Sequence, residues 1–418
     1  MRIRSGLYRL LRQLSESAAE RSVYAVALGL LIRSRAPQLA LMGPMLPAGL
    51  ESAVGSDKLR FWSVLARALV GRVLVLCDEE KQLMRVMLQQ TDAYSRARER
   101  LKNSSVLIGH RTHNYQQIAR DWKRLSPLRL FVLHHFDRRG YWSQAWHELL
   151  LDLQQQGWSV LISSSGLAPA SLQQIRAAGF QLALRDNRGL CLGAYRDLSV
   201  LLLQNSTVAD RVQSLVLAND SMLPLSSPSC FVRLLEGWDS QDQLEPTPLL
   251  RGLTDSAERD CYHLQSFCLH ANRALLQHPA WLRFWLGFSL SGSKDDLINH
   301  GEIGLSQALL AAGVQLRPAY PLVQGLLEDP AMAEELQRYG IWQPRHVNQS
   351  LFAWQSLLAR GFPLVKKHVL FELIENQGLP MAMAEFSRWI NPDRRALIAA
   401  DLQELFVSRY SGDTPQLG

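Results

Sequence analysis

The chain has 418 residues, 47% of them hydrophobic and 20% charged. Apolar runs recur along its length without low-complexity tracts, which excludes a largely disordered chain and implies two or three structural units. The net charge of +7 is uneven: residues 1–125 hold 21 Lys and Arg against 10 Asp and Glu, leaving the other 293 residues at −4, a distribution that argues against a nucleic-acid binder with basic charge across its folded body.

The first 32 residues read as helical. Arg2, Arg4, Arg9 and Arg12 lie among Leu7, Leu10, Leu11 and Leu14, a cationic segment with an apolar stripe. Such a segment either binds an anionic membrane surface or packs as an ordinary basic helix on its own protein. The best apolar window, residues 23–32, is too short for the roughly twenty residues that cross a bilayer, so any membrane contact is expected to be peripheral. A Pro/Gly-rich break at residues 37–55 is followed by a helix over 58–70. Then come a strand-like run, Arg72-Val-Leu-Val-Leu-Cys77, a polar helix over 79–102 and a second short run, Val106-Leu-Ile108. Residues 1–125 thus form a basic N-terminal region, helical with a small α/β unit.

From residue 128 the rhythm changes. Leu128-Arg-Leu-Phe-Val-Leu133, Trp158-Ser-Val-Leu-Ile162, Phe180-Gln-Leu-Ala-Leu184 and Ser214-Leu-Val-Leu-Ala218 are near-continuous apolar runs. The stretches 142–156 and 169–178 between the first three are helical, each closed by a glycine suited to the positive φ of a helix end. This alternation predicts a mostly parallel sheet covered on both faces, in a domain spanning 126–325. The fourth strand stops at Asn219-Asp220-Ser221, which puts Asp220 on the carboxyl edge of the sheet, where open α/β folds bind ligands; it also suits a turn. Between strands three and four, Arg185-Asp-Asn-Arg-Gly-Leu-Cys-Leu-Gly-Ala-Tyr-Arg196 reads as a tight turn feeding a helix N-terminus. A diphosphate fits such a place, with Arg188 or Arg196 as counter-charge. Beyond residue 325 the pattern is helical, over 326–340, 348–360 and 380–407, without further convincing strands. The aromatics Trp342, Phe352, Trp354, Phe362, Phe371, Phe386 and Trp389 read as packing.

Five cysteines, at 77, 191, 230, 261 and 268, show no CxxC spacing and read mostly as small buried hydrophobes in a reducing compartment. The His134–His135 and His110/His113 pairs lack partners at zinc-ligand spacing. The expected location is the cytoplasm, at most peripheral at the inner face of the cell membrane.

Six blocks carry a resemblance. They are the run from Asn187 to Asp197; Leu217-Ala-Asn-Asp-Ser221 with Pro224; Gly252-Leu-Thr-Asp-Ser256; His263-Leu-Gln-Ser-Phe267; Phe284-Trp285; and the run from Ser293 through Lys294, Asp295, Asp296, Gly301 and Glu302 to Leu310. In order and approximate spacing they resemble the rhamnan synthesis F family, the rhamnose-glucose polysaccharide assembly proteins, over roughly residues 128–325. A weaker echo lies at Gly361-Phe-Pro-Leu-Val-Lys366. The resemblance implies a GT-A-like glycosyltransferase that moves a sugar, rhamnose or another hexose, from a nucleotide-sugar donor to a cell-surface polysaccharide or lipid-linked glycan acceptor, with inversion and with Mg²⁺ or Mn²⁺. On it, Asn187, Gly189 and the residues up to Gly193 and Arg196 line the nucleotide side of the donor pocket. Asp220 is the metal ligand, and Glu302 the general base. The chain departs from the family at Leu190, Cys191 and Leu192, where an aromatic, an acid and an aromatic are common, and Asp220 has no second carboxylate beside it in sequence.

Sugar transfer needs charge neutralisation on the leaving diphosphate and a base for the acceptor hydroxyl. Asp220 with a divalent cation, helped by Arg188 or Arg196, answers the first. Glu302, Asp255, Asp295 and Asp296 are the candidates on the acceptor side, and Glu302 is expected near the start of a helix. His263 and Gln265 are candidates for hydroxyl recognition. The competing readings are an inactive member of the same fold, favoured by Cys191, and a peripheral membrane scaffold, favoured by the basic N-terminus.

Overall fold

The computed structural model describes residues 115–410, except 125–127, 205, 245–246, 289, 291–293 and 342–345. The basic N-terminal segment, its two short strand-like runs, Cys77, His110, His113 and Trp342 lie outside the described residues.

Among the described residues there are ten strands: β1 (Leu128–His135), β2 (Ser159–Ser164), β3 (Gln181–Leu184), β4 (Val212–Asn219), β5 (Met222–Pro224), β6 (Leu249–Ser256), β7 (His263–Leu264), β8 (Cys268–Asn272), β9 (Gln315–Tyr320) and β10 (Leu364–Lys366). Eight of them form one sheet in the order β3-β2-β1-β4-β8-β6-β7, with β9 added to β6. β1 to β4 run parallel, β6 and β9 are parallel to each other, and β8 is antiparallel to both β4 and β6. The fold is therefore α/β with a mixed, mostly parallel central sheet, as the alternation predicts.

Both faces of the sheet are covered because the strands are apolar throughout, and successive side chains point to opposite sides. Leu130 and Val132 enter one core with helices α1 (Tyr115–Trp122) and α4 (Leu190–Gln204) and with 279–287 and 304–311. Phe131 and Leu133 enter the other, with α2 (Gln144–Gln155), α3 (Pro169–Ala177) and α5 (Pro228–Leu244). The helix α5 continues through Gly237 to Leu244. Phe231, Val232, Leu235 and Trp238 are buried along one face of it, and Gly237 faces open space, so one glycine does not end it.

The C-terminal region does contain a strand. β10 pairs antiparallel with β5, Lys366 opposite Met222, and leads directly into helix α6 (Lys367–Gln377). The last helix, α7 (Arg395–Tyr410), docks on α2 through buried Asp401. Its carboxylate accepts from Tyr141 Oη and Ser143 Oγ at 2.7 Å and from the amides of Gln144 and Ala145 at 2.8 Å, satisfying donors at the start of α2 that would otherwise lack partners. Trp354, Phe386 and Trp389 pack together nearby in tilted and edge-on contacts, so these aromatics do pack. No helix among the described residues is long and apolar enough to cross a membrane.

Candidate functional site

Strands β1, β2 and β3 step outward in one direction, and β4 returns to the other side of β1. That reversal opens a crevice between the carboxyl ends of β1 and β4, where open α/β sheets place ligands. The two strands end in step, His134 opposite Asn219, so His134, His135, Asn219 and Asp220 converge there.

Asp220 sits at the crevice as its strand end requires, but it is already paired with a cation. Lys367 Nζ lies 3.1 Å from Asp220 Oδ2, with side-chain exposures of 13% and 11%, and the Phe136 amide donates to the same oxygen at 3.3 Å. Burial opposes ionisation of Asp220, yet the Lys367 ammonium beside it holds the carboxyl below its ordinary range. Burial drives His134 down to about 3 and lowers His135 as well, so both imidazoles are neutral near pH 7 and Lys367 is the cation that faces Asp220.

A divalent ion at Asp220 Oδ2 would have to displace Lys367. Mg²⁺ takes oxygen ligands at about 2.1 Å, and here the carboxylate oxygen already faces an ammonium. Both ring nitrogens of His135 are engaged, with Ser164 Oγ and the Tyr141 carbonyl. Among the described residues, the one group of three His, Cys, Asp or Glu side chains within metal reach is Asp239, Asp242 and His270. It lies away from the crevice, beside Arg129 at the start of β1. Its carboxylates face Arg129 and Arg251, and His270 Nε2 bonds Ser214 Oγ.

Glu302 lies near the same region, its charge acting together with that of Asp220 on the Cys191 thiol. It does not begin a helix: the helical run starts at Lys294, and Glu302 lies in a wide π turn, Ile298–Ile303, continuous with the helix Gly304–Ala311. Such turns inside helices recur at functional sites because they re-aim side chains. Ser266 donates to Glu302 Oε2 through its amide at 2.7 Å and through its hydroxyl, and His263 Nε2 lies 3.6 Å from Oε1. Against the cost of burial, these partners keep the Glu302 carboxyl below its ordinary range, ionised at neutral pH. Tyr195 joins Ser266 to Asn219. Its hydroxyl donates to the Ser266 carbonyl at 3.0 Å and accepts from Asn219 Nδ2 at 3.3 Å.

The glycine-containing turn behaves as expected up to a point. Gly189 adopts φ +75° and α4 begins at Leu190, with the Asn187 carbonyl accepting from the Leu190 amide at 3.2 Å. Arg188 is exposed at this turn. Arg196, however, is fully buried, and its Nε donates to the Trp285 carbonyl at 3.2 Å. One and a half turns into α4, it points at the helix 279–287, not at a ligand. The residue that shapes the turn is Arg185, which the sequence reading passed over. It pairs with Asp197 at 3.0 Å, both buried, and donates to the carbonyls of Arg188 and Leu190.

Cys191 is half-buried on the first turn of α4. Burial first, and then the charges of Glu302 and Asp220, push its thiol up to about 12. It is a neutral group between two carboxylates. Of the other described cysteines, only Cys268 is buried, while Cys230 is exposed and Cys261 intermediate, so the expectation that they are mostly core hydrophobes is not met.

The remaining acceptor-side candidates divide. Asp255 is buried at the end of β6, its Oδ1 accepting from the Leu322 amide at 2.7 Å and from Gln349 Nε2 at 3.2 Å. Gln265 is buried with its Oε1 on Thr254 Oγ1 at 2.7 Å. His263 is buried between the Cys261 carbonyl and Glu302. Asp295 is exposed and pairs with Arg259 at 2.9 Å, with half-exposed Asp296 beside it on the same short helix. Asp220 and Glu302 thus both lie close enough to act on the Cys191 thiol, His263 supports Glu302, and Asp255 and Gln265 are bonded within the scaffold.

Lys366 and Lys367 follow strand β10 and bring two more ammonium groups to the region of Ser350 and Asp220. Their signal is a short apolar run, Leu364-Val365, ending in two lysines. Lys366 is bonded to Ser350 Oγ at 3.3 Å. Burial lowers it while Glu302 and Glu258 favour its charge. No family model matches the chain, and no curated protein matches it.

Proposed function

We propose that the chain is a nucleotide-sugar-dependent glycosyltransferase with a GT-A-like catalytic domain, acting with inversion on a cell-surface polysaccharide or lipid-linked glycan. The observation that carries this reading is a fixed cation, Lys367 beside Asp220, and an ionised carboxylate, Glu302, both carboxylates being close enough to act on Cys191 at the start of α4. The resemblance to the rhamnan synthesis F family supports it over the same residues.

In this reading the donor diphosphate lies against the β4 and α4 side. The acceptor hydroxyl sits at Glu302. As the acceptor oxygen forms its bond to the anomeric carbon, its proton passes to Glu302. The bond from that carbon to the diphosphate oxygen breaks, and the electron pair leaves on the diphosphate. Stabilising that developing charge is the larger contribution, because a preorganised cation in a dry crevice costs no reorganisation. Ser266 and His263 hold Glu302 in place for proton transfer.

A second reading, an inactive member of the same fold, is favoured by Cys191, a neutral thiol where relatives of the proposed family carry an acid. Recruitment of the protein to an anionic membrane surface through residues 1–35 belongs to the same proposal, since a lipid-linked acceptor lies there. A thermal-shift screen of UDP-, dTDP-, GDP- and CMP-sugars tests the activity reading. A binding donor at about a hundred times its Kd stabilises the fold by about 2.7 kcal/mol. Stabilisation by one nucleotide group followed by sugar transfer supports an active enzyme, stabilisation without turnover supports the inactive one, and no stabilisation by any donor removes both.

A further inference from the structure

We propose that Lys367 takes the place of the divalent cation: its ammonium, fixed by Asp220, receives the donor diphosphate, and donor binding is metal-independent. The inference rests on the glycosyltransferase reading above, and it replaces the Mg²⁺ or Mn²⁺ that the family resemblance implies.

Lys367 is not a wandering surface lysine. Its amide donates to the Ser221 carbonyl at 2.9 Å, one residue past Asp220, and the preceding Lys366 pairs in register with Met222. Backbone pairing thus brings residue 367 to the end of β4, and the 3.1 Å contact with Asp220 fixes the other end of the side chain. Both groups are largely withdrawn from water, where ionic contacts are least screened.

The chemistry matches what a leaving diphosphate needs. An ammonium offers three donors and a full positive charge, and the Asp220 contact uses one of them. Lys367 is also the first residue of α6, an 11-residue helix, whose amino-terminal end adds partial positive charge. The N-terminus of α4 opens nearby at Leu190 and Cys191. Asp220 orients the lysine while the diphosphate arrives against it. A metal ion bound at Asp220 would have to expel Lys367 into an already positive region, leaving an ammonium and a dication in competition for one carboxylate.

The test uses the full chain and isothermal titration with inorganic pyrophosphate, UDP, dTDP, GDP and CDP, each in EDTA and in Mn²⁺. The expected result is binding of pyrophosphate and one nucleotide with affinities that agree within about twofold between the two buffers. Lys367→Met should weaken both by about ten- to a hundredfold, the range of a charge-assisted hydrogen bond, and Lys367→Arg should keep most of the affinity. Because Lys367→Met leaves Asp220 buried without its cation, the double variant Lys367→Met/Asp220→Asn, which buries no charge there, serves where the single one does not fold. Affinity that rises tenfold or more with Mn²⁺ and survives Lys367→Met overturns the role of Lys367 and leaves the glycosyltransferase reading standing. A wild-type chain that binds none of the probes in either buffer overturns both.

Discussion

Ser266 grips Glu302 twice, through its amide at 2.7 Å and through its hydroxyl, on the same carboxylate oxygen. The second oxygen, Oε1, looks toward His263 and is the one left to take a proton from an acceptor. Glu302→Gln keeps an oxygen for Ser266 and removes the base. Turnover should fall by roughly 10²–10⁴ while the donor Kd stays within a few fold and the product anomer, once measurable, is inverted. Near-normal turnover of this variant, or retained configuration, would remove the assigned mechanism.

Asp255 was the competitor for that role, and its environment assigns it a different one. Its carboxylate accepts the buried Leu322 amide and Gln349, tying β6 to the segment that follows β9. Asp255→Ala orphans those donors and should cost about 1–3 kcal/mol, seen as a lower denaturation midpoint with turnover per folded molecule little changed. A collapse of turnover at unchanged stability would return the base to Asp255.

The His263–Glu302 pair makes stability depend on pH in a predictable direction. Burial would lower His263, but Glu302, helped by the Cys261 carbonyl, raises it above its ordinary 6.5. A raised folded value means that the contribution is complete below pH 6.5 and is lost as pH rises through the folded pKa. Glu302 is held below its ordinary 4.5, so its share is present above that value and lost as pH falls through the folded one. Wild type should therefore exceed His263→Gln in stability most between these limits. Urea midpoints at about pH 5.5 and about pH 8.5 should show the gap shrinking at the higher pH. A gap that grows with pH contradicts the pairing.

Two glycines on helices provide an internal comparison. A Cβ on Gly193 would lie 2.1 Å from the Arg188 carbonyl oxygen and 2.7 Å from Arg185 Nη2, while Gly237 has nothing within 4 Å. Gly193→Ala must displace the turn that opens α4 and should destabilise by about 1–3 kcal/mol. Gly237→Ala should stabilise α5 by about 0.4–1 kcal/mol. Equal melting temperatures for the two variants would mean that the turn is not held by its contact with Arg185.

The amino-acid order determined the parallel half of the sheet on its own. Leu128-Arg-Leu-Phe-Val-Leu133 and Ser214-Leu-Val-Leu-Ala218 are apolar on both faces, and a strand of that kind has nowhere to go but the interior of an α/β sheet. Asp220 was legible for the same reason, since a carboxylate that ends a buried strand must emerge at its carboxyl edge. The turn opening α4 was legible from Gly189, whose positive φ spares the chain strain. Local pattern failed where a side chain's partner lies far along the chain. Arg196 reads as a counter-charge, but the direction of α4 buries it under Trp285. Glu302 reads as a helix start, but the preceding turn continues into its own. Asp255 reads as an acceptor contact until Leu322 and Gln349 arrive on it. The pairing that defines the crevice, Asp220 with Lys367, joins positions 147 residues apart. Only the closing of β10 onto β5 brings them within hydrogen-bond reach, because electrostatic and hydrogen-bond energies depend on distance in space and leave no periodic trace in the sequence.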